Sequence, residues 1–119
     1  MGRRVLVVDD ESDIRDLVII WLEDDPRCDG IFQAADLDAA VEIVQTVCPD
    51  AVLLDFKVGA RTSDDILPVI RKACPESRII VHTASRDAAL AAHVLELGAD
   101  HLLEKAAVSL AATVEALLD

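Results

Sequence analysis

The stretch of sequence that decides the fold lies at residues 4–9 and reads RVLVVD. It is a continuous run of β-branched residues and leucine that ends in an acid. Such a run is typical of a strand buried on both faces of a parallel sheet. Residues 51–55, which read AVLLD, repeat the pattern. We therefore predict two central strands, which end in Asp9 and Asp55.

Helical segments alternate with strands along the chain. Apolar residues recur at helical spacing after Ser12 and after Asp36, both of which we expect to be N-caps. Pro68 is expected in the first turn of the third helix or at a kink. The five predicted strands lie at residues 4–9, 31–35, 51–55, 78–84 and 101–104, and a helix follows each of them.

Strict alternation with short connections implies right-handed crossovers, a five-stranded parallel sheet and five helices on its two faces. This is the doubly wound α/β fold. A chain of 119 residues suggests one domain over residues 1–119. Its apolar runs are too short to span a membrane, and the N-terminus shows no cleavage site for secretion. We therefore expect a soluble, cytoplasmic protein.

The net charge and the cysteines argue against nucleic-acid binding, membrane binding, a disulfide-rich fold and a zinc site. The net charge of −12 repels phosphate backbones and anionic lipids, so we expect no direct binding to nucleic acid or membrane. Cys28, Cys48 and Cys74 are odd in number, far apart and free of any CxxC pair. This spacing suggests neither a disulfide framework nor a zinc site, and we expect three buried or inert thiols.

Polar residues close several of the predicted strands. Because the functional crevice of an open parallel sheet lies at the carboxyl ends of its strands, we expect Asp9, Asp10, Asp55, Thr83 and Lys105 to meet there. Three carboxylates at one edge repel one another unless a cation neutralises them, and all-oxygen ligation suits Mg²⁺. A hydroxyl and an ammonium can bind phosphoryl oxygens. Each residue alone has a plain structural explanation, but the set indicates phosphoryl transfer.

Four segments resemble the response-regulator receiver family of two-component signalling. They are VLVVDDE at residues 5–11, VLLDF at 52–56, VHTAS at 81–85 and GADHLLEK at 98–105. The resemblance covers essentially the whole chain, and its strength lies in the ordered set rather than in any single motif. It implies a flavodoxin-like sheet with strand order 2-1-3-4-5.

The resemblance also implies roles for individual residues. Asp55 would accept the phosphoryl group from a sensor histidine kinase or phosphotransfer protein, and Thr83 and Lys105 would contact that group. The implied Mg²⁺ ligands are Asp10, Asp55 and the backbone carbonyl of Lys57, with Asp9 acting through water. The domain would catalyse its own phosphorylation and dephosphorylation without being an enzyme in any other sense.

The chain departs from the family in the loop after the acceptor and in the last strand. Residues 56–65 lack the family's usual proline, and Lys57 either alters the lifetime of the aspartyl phosphate or is a plain solvated lysine. Leu102 replaces the aromatic residue that usually switches together with Thr83. Lys105 precedes alanine instead of proline, which removes the expected cis peptide.

The fourth and fifth predicted helices, near residues 87–97 and 108–118, are apolar almost all round. We expect this side to bind an effector protein or a second copy, unless its alanines only pack against neighbouring helices. A degenerate receiver that binds partners without phosphorylation is the alternative function. A phosphatase or flavin-binding enzyme would need a second aspartate just after Asp55 or a phosphate-cradling loop, and neither is present. His82 and His93 have no second titrating partner evident in the sequence, so we expect neither to act in a phosphorelay or in pH sensing.

Overall fold

Five parallel strands form the central sheet of the computed structural model, which describes residues 2–119. The described residues contain seven strands in all, of which β4 and β5 lie outside this sheet: β1 (Arg3–Val8), β2 (Cys28–Ala34), β3 (Ala51–Asp55), β4 (Lys57–Val58), β5 (Arg61–Thr62), β6 (Arg78–Thr83) and β7 (His101–Glu104). The sheet has the order β2-β1-β3-β6-β7, and β4 and β5 form a separate antiparallel hairpin. Without the hairpin this is the predicted order, so the doubly wound, flavodoxin-like fold is confirmed.

Five α-helices connect these strands. They are α1 (Ser12–Glu23), α2 (Leu37–Thr46), α3 (Leu67–Ala73), α4 (Ala88–Glu96) and α5 (Leu110–Leu118). Asp36 caps α2 as predicted, because its Oδ1 accepts the N–H of Ala39 at 2.8 Å. Pro68 lies in the first turn of α3, where a missing N–H disrupts no intrahelical bond. No helix within residues 2–119 combines the length and the apolar composition needed to cross a bilayer.

The start of α1 differs from the prediction by one residue. Ser12 is the first helical residue, and Glu11 is the N-cap without a side-chain capping bond. The N–H of Glu11 donates instead to Oδ1 of Asp9 at 2.9 Å. The Asp9 carboxylate therefore stabilises the turn between β1 and α1, and Ser12 is not needed as a cap.

Alternation of side chains along β1 divides the core into two layers. Leu6 and Val8 belong to the layer formed with α2, α3 and α4, whereas Val5 and Val7 belong to the layer formed with α1 and α5. All four side chains are buried. Because a strand covered on both faces offers no solvated position, its sequence is continuously apolar up to the sheet edge.

The β4–β5 hairpin is an element that the sequence did not predict. It pairs Lys57 with Thr62 and Val58 with Arg61. Gly59 takes a φ of 63° in the turn, a conformation that glycine adopts without a steric penalty from Cβ. Val58 is buried in the core layer beside α2 and α3. The loop that lacks the family's proline is therefore anchored by a turn and one apolar side chain.

A disulfide joins Cys48 to Cys74, so the expectation of three free thiols is wrong for this pair. The two residues are 26 positions apart, but the carboxyl ends of α2 and α3 lie side by side. Their Cα atoms are 5.5 Å apart, within the usual range for a disulfide. Cys28 is a free, half-buried thiol, as expected.

Large exposed apolar side chains concentrate on α1 rather than on α4 and α5. Leu17, Ile20 and Trp21 are 49%, 60% and 45% exposed. On α4 and α5 the large apolar side chain with comparable exposure is Leu95, at 46%. Most other exposed apolar positions of these two helices are alanines. The apolar surface predicted there is consequently narrower than expected.

Candidate functional site

The carboxyl edge of the sheet brings together the polar residues that were predicted from the strand ends. Asp55 is the last residue of β3 and Thr83 the last of β6, while Asp9 and Lys105 directly follow β1 and β7. A cleft of about 400 Å³ opens at this edge, and Asp10 contributes to its lining. The fold therefore places all five residues around one site.

Three carboxylates form an acidic cluster at this site. One oxygen from each of Asp9, Asp10 and Asp55 lies within 4.8 Å of the other two. Asp9 and Asp55 are buried and Asp10 is exposed. Burial, followed by repulsion from Asp9, raises the pKa of Asp55 to about 6, although Lys105 acts in the opposite direction. The cluster is thus short of positive charge in its fully ionised form.

Lys105 supplies the cationic side chain of the cluster. Its Nζ lies 3.1 Å from Oδ1 of Asp55 and 3.5 Å from Oδ2 of Asp9. Burial alone would lower the pKa of Lys105, but attraction to Asp55 and Asp9 outweighs it and raises the pKa. The backbone N–H of Lys105 donates to the carbonyl of Thr83 at 2.7 Å, which fixes the residue beyond the strand end without a proline. All peptide bonds described in residues 2–119 are trans.

Backbone donors hold the other two carboxylates. Asp9 is engaged at both oxygens, since Oδ1 accepts the N–H of Glu11 and Oδ2 faces Lys105. Asp10 accepts the N–H of Gly59 through Oδ2 at 2.9 Å. Gly59 was not predicted as a site residue. The only feature of the sequence that could have indicated it is that a glycine occurs in the loop after the acceptor. The hairpin turn is therefore fastened directly to the acidic cluster.

Thr83 is buried at the end of β6 and lines the cleft. The hydroxyl oxygen accepts the N–H of Ser85 at 3.0 Å. Because a hydroxyl is also a donor, this bond leaves the Thr83 proton free for an anion in the cleft. Ser85 lines the same cleft.

Lys57 lies on the hairpin beside the site. The N–H of Ser63 donates to the carbonyl of Phe56 at 2.7 Å, which makes these residues a hydrogen-bonded pair. Bonded and non-bonded pairs alternate along an antiparallel ladder, so the next pair, Lys57 with Thr62, is of the non-bonded kind. The carbonyl of Lys57 is thus free of its hairpin partner, and the exposed residue lines the cleft.

Leu102 lies in β7 and aligns with Val81 of β6. It is half-buried against the core layer formed with α2, α3 and α4, whereas His101 is exposed. The leucine therefore occupies the position beside β6 that was predicted from the sequence. Its role as a switch stays a prediction.

Two histidines have surroundings that the sequence did not reveal. His93 of α4 contacts Asp64 at 3.1 Å, a titrating partner that was not evident from the sequence. Asp64 lies in a 3-10 turn shortly after the hairpin. His82 is buried beside the acidic cluster, and burial, followed by the charge of Lys105, lowers its pKa to about 4. Neither relation follows from sequence spacing, because both join separate elements.

Ionisation of Asp55 is expected to destabilise the metal-free fold. Its pKa is about 6 when folded against an ordinary 3.8, so between these values the folded chain holds more protons than the unfolded chain. The free energy of unfolding then falls as pH rises through this window, by roughly 2–3 kcal/mol. His82 acts in the opposite sense, since its folded pKa lies below its ordinary value.

The difference in the free energy of unfolding between wild type and Asp55→Asn, followed as a function of pH, isolates the effect of ionising Asp55. Urea denaturation in the presence of a chelator, at several pH values from 4 to 7, should show wild type losing stability relative to the variant as pH rises. His82 is present in both proteins, so its contribution largely cancels. Parallel stability curves would contradict the expectation.

Known proteins with similar sequences include members of the family that the sequence indicated. The family model described as response regulator receiver domain matches residues 5–116. A protein-glutamate methylesterase/protein-glutamine glutaminase from Pyrococcus horikoshii is 33% identical over 122 residues, which cover 100% of this chain and 33% of that protein. The chain therefore spans about one third of the length of the curated relative it matches.

Solved structures show the same fold. The signal receiver domain of the putative response regulator NarL from Mycobacterium tuberculosis has a TM-score of 0.89 and 26% identity, over 99% of this chain and 94% of that one. The response regulator domain of Thermotoga maritima CheB has a TM-score of 0.81 and 26% identity, over 98% of this chain and 89% of that one.

Proposed function

Because the chain belongs to the response regulator receiver domain family, we propose that Asp55 accepts a phosphoryl group from a sensor histidine kinase or phosphotransfer protein. The observation that carries the proposal is the contact between the buried Asp55 and Lys105, 3.1 Å apart, beside two further carboxylates. An acidic cluster with one cation suits phosphoryl transfer better than structural pairing, since three carboxylates exceed what one lysine neutralises.

The residues divide the chemistry among them. A carboxylate oxygen of Asp55 attacks phosphorus, the new O–P bond forms, and the N–P bond to the donor histidine breaks with the electrons going to the imidazole. Lys105 lies where its ammonium stabilises negative charge on the phosphoryl oxygens. Thr83 donates its free hydroxyl proton to one of them. Autodephosphorylation is a separate step, in which water attacks phosphorus, the O–P bond to Asp55 breaks, and inorganic phosphate and the free carboxylate are released.

The donor set fits Mg²⁺. Three carboxylate oxygens within 4.8 Å of one another and the carbonyl of Lys57 are hard oxygen ligands. When bound, Mg²⁺ supplies positive charge that offsets the phosphoryl oxygens. Asp10 and Asp55 would bind the ion directly. Asp9, whose two oxygens are already engaged, would contact it through water.

Acetyl phosphate with Mg²⁺ tests the proposal on the 119-residue chain. Intact mass should show one phosphoryl adduct that needs Mg²⁺, and Asp55→Ala should show none. Asp50→Ala, which removes an aspartate at the opposite end of β3, is the matched control and should label like wild type. An unlabelled but folded wild type would instead favour the alternative of a degenerate receiver that binds partners without phosphorylation.

Lys57 is expected to alter the lifetime of the aspartyl phosphate. It is exposed on the hairpin and lines the cleft, where its ammonium can lie over the phosphoryl oxygens and restrict attack by water. Lys57→Asn should change the rate of dephosphorylation severalfold, measured by intact mass after acetyl phosphate is removed. Lys72→Asn, on the exposed surface of α3, serves as the control. Equal rates for Lys57→Asn and wild type would show that Lys57 is only solvated.

The site also suggests how the signal leaves the domain. We propose that residues 1–119 form one receiver domain and that phosphorylation of Asp55 acts through Thr83 and Leu102 on the side formed by α4, β7 and α5. An effector protein, an output segment of a longer protein or a second copy would bind there. The net charge of −12 opposes direct contact with nucleic acid or an anionic membrane. A kinase partner places the proposed activity in the cytoplasm.

A further inference from the structure

The Cys48–Cys74 disulfide lies at the end of the sheet opposite the acidic cluster. Cys48 precedes β3 by three positions, and Cys74 is the C-cap of α3 ahead of β6. Parallel strands begin at this edge and end at the acceptor site. The pair therefore has no part in the phosphoryl chemistry. We propose that it is a reversible thiol–disulfide site, in which Cys48 exchanges with a glutathione-type thiol and Cys74 resolves the mixed disulfide.

The two cysteines differ in exposure. Cys48 is an exposed residue, whereas Cys74 is 2% exposed. Both sulfurs lie near the carbonyl of Val44, at 3.8 Å for Cys48 and 3.5 Å for Cys74. A groove of about 330 Å³ runs beside the disulfide, between the segments 48–50 and 74–77. Thiol–disulfide exchange requires the attacking thiolate to reach one sulfur of the bond. We assign that sulfur to Cys48, because Cys48 is the exposed residue of the pair and Cys74 belongs to the buried core layer.

Reduction of the disulfide takes two thiol–disulfide exchange steps. A thiolate R–S⁻ attacks Sγ of Cys48, the R–S–S–Cys48 bond forms, and the bond to Cys74 breaks to release a thiolate that takes a proton from water. A second R–S⁻ then attacks the R sulfur, which releases R–S–S–R and the Cys48 thiolate. Two thiols are oxidised and the protein disulfide is reduced. Oxidation by R–S–S–R runs the same steps backwards, with Cys74 displacing R–S⁻.

The covalent loop contains the strand that carries the proposed acceptor. Residues 48–74 include β3 with Asp55, the hairpin with Lys57, and α3. Closing a loop of this size restricts the unfolded chain, so the oxidised form is more stable than the reduced form. We expect the reduced chain to keep its fold, because β3 is also held by its pairing with β1 and β6. The pair consequently changes the stability of the acceptor region according to the thiol environment.

Equilibration of the 119-residue chain with graded ratios of reduced to oxidised glutathione tests the proposal. Samples are quenched with acid, the free thiols are alkylated, and intact mass with peptide mapping reports each cysteine. Wild type should convert reversibly between two thiols and a disulfide, with a melting temperature roughly 10 °C lower when reduced. Cys74→Ser should collect a glutathione adduct on Cys48.

In folded Cys48→Ser, Cys74 should stay unmodified and react only in denaturant, while Cys28→Ser should behave as wild type. Circular dichroism establishes that each variant is folded. Wild-type mixed disulfide trapped by rapid quenching gives the same assignment without any substitution. The proposal is overturned if no glutathione ratio converts the folded wild type, or if the adduct forms on Cys74 as readily as on Cys48.

Discussion

Replacing Lys105 with methionine is expected to slow phosphorylation of Asp55 by acetyl phosphate roughly 100-fold. Within residues 2–119, Lys105 is the one cationic side chain within salt-bridge distance of Asp55, at 3.1 Å. Methionine keeps much of the length of the side chain but removes the charge that stabilises the phosphoryl oxygens during transfer. The rate is measured by intact mass at saturating Mg²⁺.

A second cation near the same edge gives the matched control. Arg86 contacts Glu104 at 2.8 Å, and its side chain is 82% exposed, with no contact to the acidic cluster. Arg86→Met therefore removes one positive charge from the neighbourhood without touching the site, and we expect a rate within twofold of wild type. A slow Lys105→Met beside a normal Arg86→Met assigns the effect to the contact with Asp55. Equal rates for Lys105→Met and wild type would refute the assigned role.

Lys105→Met is also expected to weaken the fold when no metal is present. The lysine offsets two buried carboxylates, and removing one partner of such a group leaves uncompensated charge at a cost of about 3 kcal/mol. Circular dichroism at the Mg²⁺ concentration of the rate measurement shows whether the variant is folded there. A slow rate in folded protein is then a loss of chemistry rather than of structure.

Leu54→Ala is expected to reduce the free energy of unfolding by about 3–5 kcal/mol. Leu54 is fully buried in β3, the central strand of the sheet, where it aligns with Val8 on one side and Val81 on the other. The alanine leaves a cavity toward α2, α3 and α4 that neighbouring strands cannot close. Because small domains have only about 5–15 kcal/mol of stability, much of it would be lost.

Urea denaturation of wild type, Leu54→Ala and Leu17→Ala measures this effect. Leu17 is 49% exposed on α1, and its truncation should change stability by no more than about 0.5 kcal/mol. Both variants replace leucine with alanine, so a difference in stability between them is due to burial and not to the type of side chain. A loss below about 1 kcal/mol in Leu54→Ala would mean that the central layer repacks around the gap.

Local sequence pattern predicted most of the fold. β3 begins and ends at the residues predicted from AVLLD, and β7 matches the predicted HLLE segment. Asp36 and Pro68 lie in the helix positions that their chemistry favours. These features depend on residues close in sequence, because burial on both faces, capping and the missing proline N–H act over a few positions.

The candidate site followed from the same pattern together with one topological rule. Strand-ending residues meet at one edge of a parallel sheet, and the structure gathers Asp9, Asp10 and Asp55 there, with Lys105 paired to Asp9 and Asp55. The resemblance to receiver domains added the roles of these residues. Those roles, and the switch through Thr83 and Leu102, stay predictions until the experiments above are done.

Tertiary structure alone decided the remaining features. The Cys48–Cys74 bond, the Gly59 contact to Asp10 and the His93 contact to Asp64 each join residues that are more than 25 positions apart. Spacing carries no signal for such pairs, since their distance depends on how whole elements pack. The sequence by itself determined the order of elements and the acidic edge. Which loops and thiols lie close together depends on the packing of whole strands and helices, and this packing is the result of contacts between residues far apart in the sequence.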